Sequence, residues 1–337
     1  MRLAINLGMF PPSNYPAAPE FTTRDMVETA RLAEERGFEI ACMPEAPIYR
    51  EAIVPLAGMA GATRSILLSS SVLPIYYRSP IITARTFAAL DEVSGGRAIL
   101  GLGVGVRRLL EKQGFDTAQP IQRLEEYVRV VKGLFASESI DFEGKFYQLR
   151  GTGLGFTPSR RDIPVFLGAI NQRSLRLVGR MTDGVYLPAL CVGDRIAESL
   201  GYIGEGARDA GRDIAGITIA KFNITSVDPD GGKARSFTRP LLAFYMASPH
   251  YDSTLKAHGL MESGLKIREA IDRGDDKEAI RLVPNEAIDA FTVSGTPDQC
   301  RKRLEALEKN GIGINVLLPV GETPWGAVKG ALSIAES

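Results

Sequence analysis

Residues 66–105 read ILLSSSVLPIYYRSPIITARTFAALDEVSGGRAILGLGVG, and this stretch decides the architecture. Ile66, Leu67, Leu68 and Val72 form one apolar run, and Ala98 to Leu102 form a second. Between them Ile82, Ala84, Phe87, Ala88 and Leu90 share a helical face that Ser94-Gly95-Gly96 terminates. Strand, helix, strand at this spacing is a βαβ unit, with parallel strands and a right-handed crossover. Ligands in parallel sheets sit beyond the carboxyl ends of the strands. Here those ends are Ser69-Ser70-Ser71-Val72 and Gly101-Leu102-Gly103-Val104-Gly105.

The same rhythm runs outward in both directions. Strand-like runs near residues 3, 40, 68, 100, 166, 186, 220 and 316 number eight, and helical spacing follows each. Eight such units favour a closed (β/α)8 TIM barrel over an open doubly wound sheet, as one domain over residues 1–337. Two segments break the rhythm. Residues 138–162, with their glycines, Phe142, Phe146 and Tyr147, look like a hairpin inserted after strand four. Residues 233–290 are a mostly helical excursion after strand seven, with breaks at Pro249 and Gly259. Thr296-Pro297 opens what reads as the last helix, with proline at its first position. The proline-rich loop at 11–20 and the hairpin are the candidate lids.

Composition narrows the function. The 337 residues are 45% hydrophobic and 24% charged, and 40 basic side chains balance 40 acidic ones. No global field draws in nucleic acid or a membrane surface. No apolar run has the length of a membrane span, and no secretory h-region opens the chain, which is the expectation for a soluble cytoplasmic protein. Cys42, Cys191 and Cys300 are far apart, without metal-ligand spacing, and fit a reducing compartment. No metal site is expected. His250 and His258 both lie in the excursion, and no GxSxG elbow is present, which disfavours the hydrolytic triads.

The candidate ligand residues lie at the strand ends. Gly101-x-Gly103-x-Gly105 lacks the dinucleotide spacing. Its two readings are small residues for close packing, or close approach of the Gly103 and Gly105 backbone to a flat or phosphorylated ligand. Gly168-Ala169-Ile170-Asn171 follows strand five and opens a helix whose N–H groups and positive end suit an anion, with Arg173 and Arg176 adding charge. Glu45 is the acidic residue immediately past strand two, placed either to cap a helix or to relay a proton. Such a cavity, without nucleophile or metal, needs a cofactor for its chemistry.

Three motifs, spread over nearly the whole chain, carry a resemblance. They are Ser71-Val72-x-Pro74-x-Tyr76-x-Arg78-x-Pro80; Ala89-Leu90-Asp91-Glu92-Val93-Ser94-Gly95-Gly96-Arg97 with Leu100 to Gly105; and Ala287-x-Asp289-Ala290-Phe291-x-Val293-x-Gly295-Thr296-Pro297. The chain resembles the luciferase-like flavin/deazaflavin superfamily, and within it the branch using the 5-deazaflavin coenzyme F420, typified by methylenetetrahydromethanopterin reductase. That resemblance implies a TIM barrel with insertions, a homodimer, and a non-prolyl cis peptide at Ser71–Val72 that backs the deazaflavin ring. It implies a phosphate loop at Gly168, Ala169, Ile170 and Asn171, and a site acid at Glu45. Asn6 stands where the reductases carry an acidic residue, and Ala46 replaces the histidine of the sugar-phosphate and alcohol dehydrogenases. Ser69 and Ser70 replace the usual glycine and proline.

The expected activity is hydride transfer between the deazaflavin C5 and a small organic substrate, with a methylene-tetrahydropterin-like imine leading. Glu45 and Asn6 would polarise or protonate that substrate. An FMN-dependent monooxygenase on the same barrel is the alternative; a non-catalytic flavin-binding barrel is the second.

Overall fold

The computed structural model describes residues 1–8, 21–46 and 50–335. The loop at 11–20, expected to be a lid, lies outside the described residues. Eight strands run in chain order around a closed parallel barrel: β1 (Leu3–Asn6), β2 (Ile40–Met43), β3 (Leu67–Ser70), β4 (Ala98–Gly103), β5 (Val165–Gly168), β6 (Gly184–Leu187), β7 (Thr218–Val227) and β8 (Ile314–Pro319). Each pairs with the next, and the β1–β8 pairing, with Leu3 opposite Asn315, closes the ring. Eight helices follow their strands: α1 (Thr23–Glu35), α2 (Ile53–Ala62), α3 (Pro80–Ser94), α4 (Pro120–Ala136), α5 (Gln172–Met181), α6 (Asp194–Asp209), α7 (Pro297–Lys309) and α8 (Pro324–Ser333).

Alternation along each strand splits the core in two. Ala4, Ile40, Cys42, Ile99, Phe166, Tyr186, Ala220, Ile314 and Val316 fill the barrel. The opposite faces join the helices in the larger apolar layer, with Ile5, Leu68, Phe87, Leu100, Val131 and Leu167 fully buried.

The superfamily motif between α3 and β4 serves the amino end of the barrel. The buried Asp91 carboxylate accepts a fork of Arg160 hydrogen bonds at 2.7–3.0 Å and the Ala98 N–H at 3.1 Å. The Arg97 guanidinium donates to the carbonyls of Ala60, Thr63, Ile66 and Ser94 at 2.6–3.0 Å. With a fifth bond to Thr63 Oγ1 at 2.8 Å, the five guanidinium donors satisfy a helix end and a strand start at once. The buried charge at this face therefore holds the fold and leaves the opposite face for ligands.

Between β4 and β5 the strands Ile140–Glu143 and Gln148–Thr152 form an antiparallel hairpin, and between β7 and α7 six helices cover 231–291 around their own apolar cluster. Two corrections follow. The helix opening at Pro297 is not the last, since α8 follows β8. Thr292–Gly295, which carried no strand pattern of its own, pairs in parallel with the outer half of β7, Val293 opposite Thr225.

Candidate active site at the carboxyl ends of the strands

The exits of β1 and β3 are tied by one side chain. Asn6, 3% exposed, donates from Nδ2 to Ser71 Oγ at 2.9 Å, while its Oδ1 accepts the Gly8 N–H at 3.0 Å. Ser71 in turn donates its own N–H to the Met43 carbonyl at 2.8 Å, which fixes it against β2. The peptide joining Ser71 to Val72 is cis, as the resemblance implied.

The isopropyl group of Val72 occupies the space that two glycines leave. A Cβ on Gly103 would stand 2.5 Å from Val72 Cγ2, and one on Gly168 would stand 3.3 Å from it. A Cβ on Gly101 would meet the Ser70 carbonyl oxygen at 1.9 Å. Close packing thus already requires glycine at 101 and 103. Gly105 is different: its φ of +65° is a left-handed conformation that glycine adopts without cost, and it turns the chain out of β4 beside Pro74.

Ser69 and Ser70 brace this bulge with hydroxyls. Ser70 Oγ donates to the Gly101 carbonyl and accepts the Gly101 N–H, each at 2.9 Å. Ser69 Oγ shares a 2.6 Å hydrogen bond with the hydroxyl of Tyr186, which stands 3.8 Å from Cys42 Sγ. The Tyr186 ring stacks on Phe222 with centroids 5.3 Å apart, and burial raises its phenol far above the ordinary value, so it is neutral.

Glu45 lies just past β2. Both its oxygens accept from Arg78 Nη1 at 2.8 Å, and Arg78 Nη2 reaches Glu51 at 2.5 Å. The Glu45 side chain is 9% exposed. Burial raises its pKa and Arg78 opposes the rise, leaving it above the ordinary carboxylate value. Tyr127 donates to the Arg78 carbonyl at 3.1 Å, which fixes the arginine's backbone.

The loop after β5 closes on itself. Asn171 caps α5: its Oδ1 accepts the Ser174 N–H at 3.0 Å, while Ser174 Oγ accepts the N–H groups of Ile170 and Asn171 at 3.3 and 3.2 Å. The Ala169 N–H goes to the Tyr186 carbonyl at 3.4 Å. Among the described residues, the N–H groups of Gln172 and Arg173 have no acceptor, and both residues are exposed. These two groups, not those of Ala169 to Asn171, are the donors left for an anion.

The structure therefore gathers Asn6, Glu45, Ser71, Val72, Gly103, Gly105 and the 168–171 loop at one end of the barrel. Arg176 is not brought there. Its guanidinium pairs with Glu205 and lies over the Tyr202 ring, 5.9 Å from the centroid, so it joins α5 to α6. Sequence reasoning gave no role to Arg78, Tyr186 or Ser174. Arg78 had a usable signal, a cation at a strand exit directly before a Ser-Pro helix start. Tyr186 had none, being one more apolar-compatible residue in a strand.

A parallel barrel with a polar cleft at its carboxyl end, a small-residue seat for Val72 and an unsatisfied helix start is an enzyme-type cofactor barrel. The luciferase-like monooxygenase family model matches residues 1–313, and the chain belongs to that family. It is 32% identical over 306 residues to the 5,10-methylenetetrahydromethanopterin reductase of Methanolobus tindarius, covering 89% of this chain and 92% of that one. A putative coenzyme F420-dependent oxidoreductase of Mycobacterium tuberculosis is 29% identical over 94% of each. Among solved structures, the coenzyme F420-dependent tetrahydromethanopterin reductase of Methanopyrus kandleri superposes with a TM-score of 0.84 at 28% identity, covering 98% of this chain and 97% of that one.

Proposed function

We propose that the chain is a coenzyme F420-dependent oxidoreductase that passes hydride to or from a small organic substrate, with a methylene-tetrahydropterin-like imine as the leading candidate. The observation that carries this reading is the Val72 side chain, seated on Gly103 and Gly168 at the strand exits, with the Glu45–Arg78 pair just past β2. The similarity to the F420-dependent and methylene-pterin reductases supports it.

The residues fit such a cofactor. Val72 is partly exposed toward the cleft and presents a rigid apolar wall, because the neighbouring glycines leave its side chain one seat. The open N–H groups of Gln172 and Arg173 suit a phosphate. Bound there, the deazaflavin would supply the carbon that gives or takes hydride. The chain's own part is positioning and proton supply. Asn6 keeps Ser71 in place and retains a second amide N–H. Glu45, raised by burial, holds its proton to higher pH than a solvated carboxylate and can protonate a substrate nitrogen.

Titration of the purified chain with oxidised deazaflavin coenzyme and, separately, FMN tests the reading by fluorescence. The expected result is saturable deazaflavin binding with FMN at least tenfold weaker. FMN preference would replace it with the monooxygenase, and binding of neither would leave a barrel without a redox role.

Two further features belong to the same reading. A cytoplasmic location is supported by Cys42, Cys191 and Cys300 being free and buried, and no described helix is long and apolar enough to cross a membrane. A homodimer is supported by α2 and α3. Helix α2 carries no charged residue, and Val54 on it is 69% exposed. On α3, Ile82 and Val93 are 50% and 67% exposed and lie eleven residues apart, which is one face of a helix.

A further inference from the structure

Beside the Glu45–Arg78 pair lies a cavity of about 290 Å³, lined by Ile75, Tyr76, Tyr77, Phe115, Arg123 and Tyr147, with Arg78 in its wall. Four side-chain polar atoms among the described residues are buried without any hydrogen-bond partner. Three of them, Tyr76 OH, Tyr77 OH and Arg123 Nε, belong to this one cavity. Buried polar groups are almost always satisfied, so three orphans around one void mark a missing partner.

We propose that this cavity holds the carboxylate of a flat, largely apolar substrate. This rests on the oxidoreductase function proposed above, and it names a substrate class other than the methylene-tetrahydropterin-like imine that leads there. The charge argument begins with Arg123. Its guanidinium centre lies 5.3 Å from the Tyr76 ring centroid and 4.6 Å from that of Phe146, sandwiched between aromatic walls. No carboxylate among the described residues forms an ion pair with it, whereas Arg78 in the same wall contacts Glu45 and pairs with Glu51. Asp116 also lines the cavity, and its Oδ1 already accepts the Ala118 N–H at 2.9 Å.

The orphan atoms are an N–H and two hydroxyls, and burial raises both phenols, so they stay protonated and can donate. Three donors, one of them on a guanidinium without an ion-pair partner among the described residues, match a monoanion with two acceptor oxygens. The rings of Tyr76, Tyr77, Phe115 and Tyr147 then favour a planar apolar frame over a hydrated dianion. Arg78 lines this cavity and contacts Glu45. A molecule gripped here by its acid end has the rest of its frame beside the proposed proton donor.

Isothermal titration of the full chain with benzoate, benzamide and inorganic phosphate, in the absence of cofactor, tests the site. Expected are one saturable benzoate site, benzamide at least tenfold weaker, and phosphate weaker than benzoate. Arg123→Gln should weaken benzoate tenfold or more and leave benzamide unchanged; Tyr77→Phe should weaken benzoate several-fold. Circular dichroism and thermal unfolding check that each variant folds, and Arg123→Lys, which keeps the charge, should retain part of the affinity. Equal binding of benzoate and benzamide, tighter binding of phosphate, or wild-type benzoate affinity in Arg123→Gln would overturn the proposal. So would competition between benzoate and the deazaflavin, which would give the cavity to the cofactor. If the chain binds no deazaflavin yet still binds benzoate through Arg123, the proposed function falls and the carboxylate site stands.

Discussion

Glu45 is the residue on which the proposed chemistry turns, and its environment makes a signed prediction. Burial lifts its pKa and the Arg78 contact limits the lift. Because the folded pKa is raised, the protonated form persists above the ordinary carboxylate range and is lost as pH rises through the raised value. If Glu45 delivers the proton, turnover falls along that same limb. Glu45→Gln should lower kcat by about 10²–10⁴-fold, the usual worth of general acid–base catalysis, and abolish the limb, with deazaflavin affinity within about twofold of wild type. A pH–rate profile with the limb intact in the variant would remove Glu45 from the role. At this scale the sequence was half readable. Glu45 and the 168–171 loop could be placed because position after a strand is a sequence property, and Asn6 was placed only by the resemblance. Arg78, Tyr186 and Arg123 could not, because their roles depend on which side chains the barrel brings beside them from distant segments.

Elements depend on junctions as much as on their own pattern, and α1 shows how. Glu34, near its end, accepts the N–H groups of Arg64, Ser65 and Ile66 at 2.6–2.9 Å and the Ser65 hydroxyl at 3.0 Å. One carboxylate thereby secures the chain entering β3, the first strand of the βαβ unit that dictates the fold. Burial works against its charge, but these donors prevail and hold its pKa down to about 2. A lowered folded pKa stabilises above the unfolded value near 4.5 and is lost as pH falls toward 2. Glu34→Gln should therefore destabilise by about 1 kcal/mol at pH 7, a figure reduced for solvent screening, and by progressively less below about pH 4. Urea unfolding of both proteins at pH 7 and pH 3 measures this; a difference that persists at pH 3 would assign the effect to shape rather than charge. The eight strands were legible as short apolar runs between turns, and seven of the helices behind them as longer apolar or helically spaced segments. Thr292–Gly295 was not, since four residues without alternation become a strand only by pairing along the outer half of β7. The helix α8 was given no bounds of its own: WGAVKGALS after Pro324 is made mostly of small residues, and packing on the barrel supplies what its sequence does not.

At the scale of the whole molecule, surface composition raises a question the barrel alone does not answer. Its net formal charge is zero, and charged residues make up 24% of the chain, yet α2 has none. The exposed positions of α2 are Val54, Ala57, Gly58, Gly61 and Ala62, and α2 packs beside α3, whose outer face shows Ile82, Ala89 and Val93. A solvated helix normally carries charges on its exposed face, so the charge-free α2, packed beside an α3 that exposes Arg85 and Glu92 as well as these apolar positions, would be explained by burial against another surface. Small residues on α2 would let a second helix pair approach closely, and a self-complementary patch on one chain is what a twofold dimer needs. The expectation is that the chain elutes at twice its 36.5 kDa mass and that Val93→Glu, or Val93→Glu with Ala57→Glu, shifts it to the monomer. Both positions are solvent-facing in the isolated chain, so the substitutions should leave the monomer's fold intact by circular dichroism. Sedimentation equilibrium across micromolar concentrations decides the matter. A wild type that remains at the single-chain mass throughout would show that these helices face water. A variant that stays dimeric would place the interface elsewhere, because two buried, unpaired carboxylates at a dimer axis would repel each other and lose their hydration without compensation.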